Sequence, residues 1–99
     1  MRRAGLLRGP VPERYEMQAG ILEMDVHGLS AEEAVKAIER KLDGVNGNVY
    51  RIRVIHGFHG GTRIRDAIQR ELGYGLEPRI KRIAGGSNQG ITELVLREY

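Results

Sequence analysis

Apolar and polar residues alternate with a period of two over 21–26. Leu22, Met24 and Val26 fall on one side, Glu23 and Asp25 on the other, which predicts a half-buried strand. The period then lengthens. Ala31, Ala34, Val35, Ile38 and Leu42 recur at spacings that draw one helix face. Ser30 and Glu33 form a capping box at its start, and Gly44 is placed to stop it. Residues 50–55, rich in β-branched side chains, predict a second strand. Beyond a glycine-rich loop, Ile64, Ala67, Ile68 and Leu72 predict a second helix over 63–72, with Thr62 as its cap and Gly73 as its stop. Residues 79–83 read as a short basic strand, 85–90 as a hairpin loop, and 91–97 as a last strand antiparallel to the third.

The predicted order is β-α-β-α-β-β. Two right-handed crossovers make the first three strands parallel and place both helices on one face of a four-stranded mixed sheet, an α/β two-layer sandwich. The parallel strands end at one edge, where open α/β sheets bind ligands. Asp25 and His27 end the first strand and His56 ends the second, so these histidine-bearing segments are expected to be neighbours. Residues 1–20 carry Arg2, Arg3, Arg8 and Arg14 without a core-forming pattern. They are expected to form a flexible basic tail, with the domain over 21–99.

Ninety-nine residues make one domain, and a chain of this size buries roughly 60–70% of its unfolded surface. The net charge is +3, and every cation but Lys36, Lys41 and Lys81 is arginine. Arginine grips phosphate bidentately and stacks on bases, a bias toward an anionic polymer that genome composition explains equally well. The absence of cysteine excludes disulfides, thiolate nucleophiles and zinc–thiolate sites. No apolar run is long enough to span a membrane, and the arginine-rich start makes a poor secretory signal, so a cytoplasmic setting is expected. Nothing in the sequence bears on oligomeric state.

The chemistry gathers in residues 51–65. Gly57, Gly60 and Gly61 allow the backbone to approach a ligand closely, and the helix start after them presents free N–H groups and partial positive charge. His56, His59, Thr62, Arg63 and Arg65 surround this turn as candidate nucleic-acid contacts. Arginine in a first helical turn is unfavourable on its own, and a bound phosphate reverses that sign. Arg51, Arg53, Arg79, Lys81 and Arg82 are candidates to extend the basic surface, and Phe58 to stack a base. Asp25 and His27 suit proton transfer, the carboxylate orienting the ring. The competing reading is that Asp25 caps the following turn. Asp25, His27, His56 and His59 together are also donors for zinc or manganese. No pattern requires a cofactor, and a divalent metal stays open.

Three segments together resemble the small MutS-related (Smr) domain family. Met24-Asp25-Val26-His27-Gly28-Leu29 is similar to its Leu-Asp-x-His-Gly opening. Residues 54–65 resemble its His-Gly-x-Gly-x-Gly-x-x-Leu-Arg loop, with His59 in the place of the second glycine and Phe58 in that of a frequent lysine. Gly90-Ile91-Thr92 resembles its closing Gly-x-Thr. The resemblance implies a sandwich similar to the C-terminal domain of bacterial translation initiation factor three. It further implies an endonuclease that nicks DNA or cleaves RNA, including mRNA on stalled ribosomes. Asp25 and His27 would then act in cleavage, and Gly57 to Gly61 in substrate contact. RNA or DNA is the expected partner, with the ribosome as a further one. A non-catalytic module binding nucleic acid or the ribosome is the alternative.

Overall fold

The computed structural model describes residues 14–58 and 61–98, of which 14–18 are described as backbone. The elements are β1 (Arg14–Gln18), β2 (Ile21–Asp25), α1 (Ala31–Gly44), β3 (Arg51–Ile55), α2 (Arg63–Leu72), β4 (Arg82–Gly85) and β5 (Ile91–Val95). They form one mixed sheet in the order β1-β2-β3-β5-β4. β2 and β3 pair parallel, and β5 pairs antiparallel with both β3 and β4, so β2, β3 and β4 run the same way, as predicted.

Alternation decides what each sheet face meets. Leu22, Met24, Ile52, Val54 and Leu94 turn inward and join Ala34, Ile38, Ala67, Ile68 and Leu72 of the helices in one buried cluster. Both helices therefore cover the same face and pack against each other. Removing these side chains from water, at roughly 1.5–3 kcal/mol for each large one, is the main force holding the two layers together. α1 starts where its sequence directs. Ser30 Oγ accepts from the Glu33 amide at 3.1 Å, and Glu33 Oε1 accepts from the Ser30 amide at 3.0 Å. No helix among the described residues is long and apolar enough to cross a membrane.

The structure departs from the sequence expectation in two places. Arg14–Gln18, assigned to a flexible tail, forms β1 and adds a fifth strand antiparallel to β2. Ala19 and Gly20 make the two-residue turn between them with positive φ of 54° and 84°, the backbone twist that hairpins favour. Ala19 is not a residue that advertises such a turn, which is why the hairpin is hard to read. Residues 1–13, the rest of the expected tail, lie outside the described residues.

The second departure is a shift of β4 from 79–83 to Arg82–Gly85. Arg79 is drawn into a local knot instead. Its guanidinium donates to Glu77 at 2.8 and 3.0 Å and to Asp43 at 2.5 Å, tying the turn after α2 to the end of α1. Glu77 also accepts the Arg79 amide at 2.9 Å. These bonds hold the Glu77 carboxyl below its ordinary value and raise the Arg79 guanidinium further.

The lowered Glu77 pKa fixes the sign of a pH dependence. The stabilisation is fully present above the unfolded carboxyl value near 4.5 and is lost as pH falls through the lower folded value. Glu77→Gln is expected to lower the urea midpoint at pH 7. Its difference from the wild type is expected to shrink steadily below pH 4.5, as read by denaturation at a series of pH values.

Candidate nucleic-acid site

Two segments distant in sequence meet because β2 and β3 end at the same level. Asp25 lies opposite Ile55 in the parallel register, and the Val26 amide donates to the Ile55 carbonyl at 2.9 Å. Beyond this last rung the chains part into two turns.

The turn after β2 holds His27. The Leu29 amide donates to the Val26 carbonyl at 3.1 Å, and Gly28 has φ of +86°. One carboxylate oxygen of Asp25 accepts both the His27 amide, at 3.1 Å, and ring Nδ1, at 2.5 Å. The two contacts fix the ring relative to its own backbone. A carboxylate only accepts, so Nδ1 carries a hydrogen, and in the neutral ring Nε2 keeps its lone pair. The His27 side chain is 68% exposed and that of Asp25 25%, so the imidazole stands open to solvent with its carboxylate partner behind it. Asp25 thus bonds both the backbone and the ring of His27.

The turn after β3 is set by His56. It is buried, with Nδ1 on the Gly57 carbonyl at 2.7 Å and Nε2 on Thr92 Oγ1 at 2.8 Å. Donation from Nδ1 to Gly57 leaves Nε2 to accept the Thr92 hydroxyl hydrogen. The amides of His56 and Gly57 both donate to the Gly90 carbonyl, at 2.9 and 3.0 Å. Glycine at position 90 lets the chains approach this closely, since a Cβ on it would stand a tight 3.2 Å from the Gly57 Cα. His56 therefore shapes the loop through bonds that occupy both ring nitrogens. Thr92, whose hydroxyl holds that ring, positions His56; the closing motif marks it, but spacing alone does not explain it.

His27, Gly57, Gly61 and Arg63 line one cleft of about 600 Å³. A Cβ on Gly57, whose φ is +73°, would lie 3.8 Å from the His27 Cβ, so the two turns are in contact. The Gly61 amide closes the loop onto the Phe58 carbonyl at 2.9 Å. Thr62 occupies the N-cap position of α2, yet its hydroxyl donates to Asp66 Oδ2 at 2.8 Å and caps no amide. The first amides of α2 are thus left without that side-chain cap. Arg63 and Arg65 stand in the same turn, with Arg65 3.9 Å from Asp66. His59 and Gly60, expected in the same site, lie outside the described residues. Among the described residues no three His, Cys, Asp or Glu side chains group as a metal site.

The arginines expected to widen the basic surface are spoken for. Arg53 bridges Glu23 at 3.1 Å and Glu93 at 3.2 Å across the open sheet face, and its guanidinium is raised chiefly by the Glu23 bond, with the Glu93 bond next. Arg51 pairs with the same Glu93, and Arg82 with Glu98. Register also places Arg14 opposite Asp25. The tail reading missed this neighbour. The alternation of Arg14, Glu16 and Gln18 with Tyr15 and Met17 was the signal for it.

The same architecture occurs in the crystal structure of the Smr domain of Thermus thermophilus MutS2. The TM-score is 0.66 and the identity 26%, covering 77% of this chain and 98% of that one. The chain forms an Smr-like domain. No protein-family model and no curated protein matches it. An Smr-like fold is consistent with nucleic-acid binding.

In this Smr-like domain the His56–Thr92 bond is a clean target. Thr92→Val keeps the shape and removes the hydroxyl, leaving a buried imidazole nitrogen unsatisfied, at a cost of about 1–3 kcal/mol. Chemical denaturation is expected to read that loss. Amide exchange at Gly57 and Gly61 is expected to quicken beyond what the global loss accounts for.

Proposed function

We propose that this Smr-like domain is an endonuclease acting on RNA or DNA, with His27 as the proton-transfer group and Asp25 as its orienting partner. The observation that carries the reading is the shared cleft. An accessible imidazole, fixed by a carboxylate at 2.5 Å, faces a glycine turn and a helix start bearing Arg63.

Phosphodiester cleavage needs a proton removed from the attacking oxygen, a proton given to the leaving oxygen, and cations near the phosphoryl oxygens. The free Nε2 of His27 is suited to take the proton from the attacking oxygen, and the imidazolium so formed, stabilised by Asp25, is suited to give it to the leaving oxygen. In RNA the adjacent 2′-hydroxyl attacks phosphorus while the bond to the 5′-oxygen breaks, giving a cyclic phosphate and a free 5′-hydroxyl. In DNA, water attacks phosphorus instead while one bridging P–O bond breaks, leaving a phosphomonoester on one end and a hydroxyl on the other. The uncapped amides of α2, with Arg63, hold the phosphate, and Gly57, without a side chain, lets it approach. Gly60, Gly61, His59, Thr62 and Arg65 belong to the same binding edge in this proposal.

His27→Ala is expected to lower cleavage by ~10²-fold or more. Asp25→Ala is expected to lower it too, while affinity stays nearly unchanged. Labelled single-stranded RNA and supercoiled plasmid, with and without chelator, are the substrates. Wild-type binding without cleavage would instead identify a binding module. Arg63→Ala is expected to weaken binding and to flatten the slope of log K against log salt by about one, the signature of one lost phosphate contact.

A further inference from the structure

The cleft has a second wall that phosphate chemistry leaves unused. Leu29, Ala31 and Ile64 line it while packing against the core, and Phe58, 46% exposed, lines it from the glycine turn. Anchored from behind, three of these side chains form a fixed apolar surface open to solvent. A phosphate or a ribose laid against such a surface loses hydration and gains no partner. A nucleobase has a flat face that needs none. Arg63 and Ile64 are consecutive, so the phosphate grip and the apolar wall adjoin at the first turn of α2.

We propose that this wall is a slot for one unpaired nucleobase, stacked on Phe58, and that the site therefore takes single-stranded or locally unpaired nucleic acid. The proposal rests on the nuclease reading above and adds the substrate class. A cleft of about 600 Å³ lies within the size range of sites that enclose one small ligand. A paired base keeps both faces in its own stack and has none to offer. A base splayed from a single strand has one, and aromatic side chains take such bases with little regard for sequence.

The experiment uses the full chain and short ribo- and deoxyribo-oligonucleotides carrying one 2-aminopurine, each as a single strand, as a blunt duplex and as a duplex with a single bulged nucleotide. Single strands are expected to bind with quenching of 2-aminopurine. The bulged duplex is expected to be cut at the bulge and the blunt duplex at least ~10-fold more slowly. Phe58→Ala, at an exposed position that leaves folding intact by circular dichroism, is expected to weaken single-strand binding roughly 5- to 100-fold and abolish the quenching. Phe58→Tyr is expected to restore both. Equal cutting of blunt duplex and single strand overturns the slot. So does unchanged binding by Phe58→Ala, and in either case a His27→Ala that no longer cleaves leaves the nuclease reading standing. Failure to bind any of the oligonucleotides overturns both.

Discussion

The parallel pairing of β2 with β3 is the constraint on which the site depends. Because Asp25 and Ile55 occupy the same rung, the two strands release their chains side by side. A one-residue slip of β3 in this register would send Ile52 and Val54 to the open face and His56 out of its pocket. The core therefore enforces the alignment: Leu22, Met24, Ile52 and Val54 are buried under both helices only in this register. Packing and chemistry select the same arrangement, so the histidine–carboxylate pair is positioned by the hydrophobic effect acting one or two residues away.

The electrostatics divide the molecule unevenly. On the open face of the sheet, Glu93 is nearly buried between Arg51 and Arg53, and Arg53 continues to Glu23, so charge there is balanced strand by strand. Such cross-strand pairs satisfy groups that the sheet half-buries, and they leave little positive potential for a polyanion. At the cleft the balance differs. Arg63 has no carboxylate partner among the described residues, and the amides beside it are uncapped by Thr62. A chain of modest net charge thus keeps uncommitted positive character where the two turns meet.

Much of this was legible in the sequence because it is local. The capping box of Ser30 and Glu33, the apolar face of 63–72 and the alternation of 21–26 each reappear almost residue for residue, since short-range periodicity and packing agree there. The meeting of His27 with Gly57 followed from strand direction alone. What the sequence hid depends on partners far along the chain. Thr62 looked like a cap until Asp66 took its hydroxyl. Arg51, Arg53, Arg79 and Arg82 looked like a basic surface until Glu93, Glu23, Glu77, Asp43 and Glu98 came beside them. His56 looked like a ligand contact until Thr92, across the sheet, held its ring. A strand turned by Ala19 left too faint a mark to separate from a tail.

The hairpin at the sheet edge gives the two ends of the described chain opposite surroundings. β1 enters at Arg14, level with Asp25, whereas β5, running the same way, finishes at Val95, level with Arg51. A tether, fluorophore or fused protein attached ahead of β1 would crowd the mouth of the cleft. One attached after β5 would leave from the far end of the sheet. Immobilisation through the carboxyl end therefore keeps the mouth clear for a long polymer, and the two attachment geometries are not interchangeable.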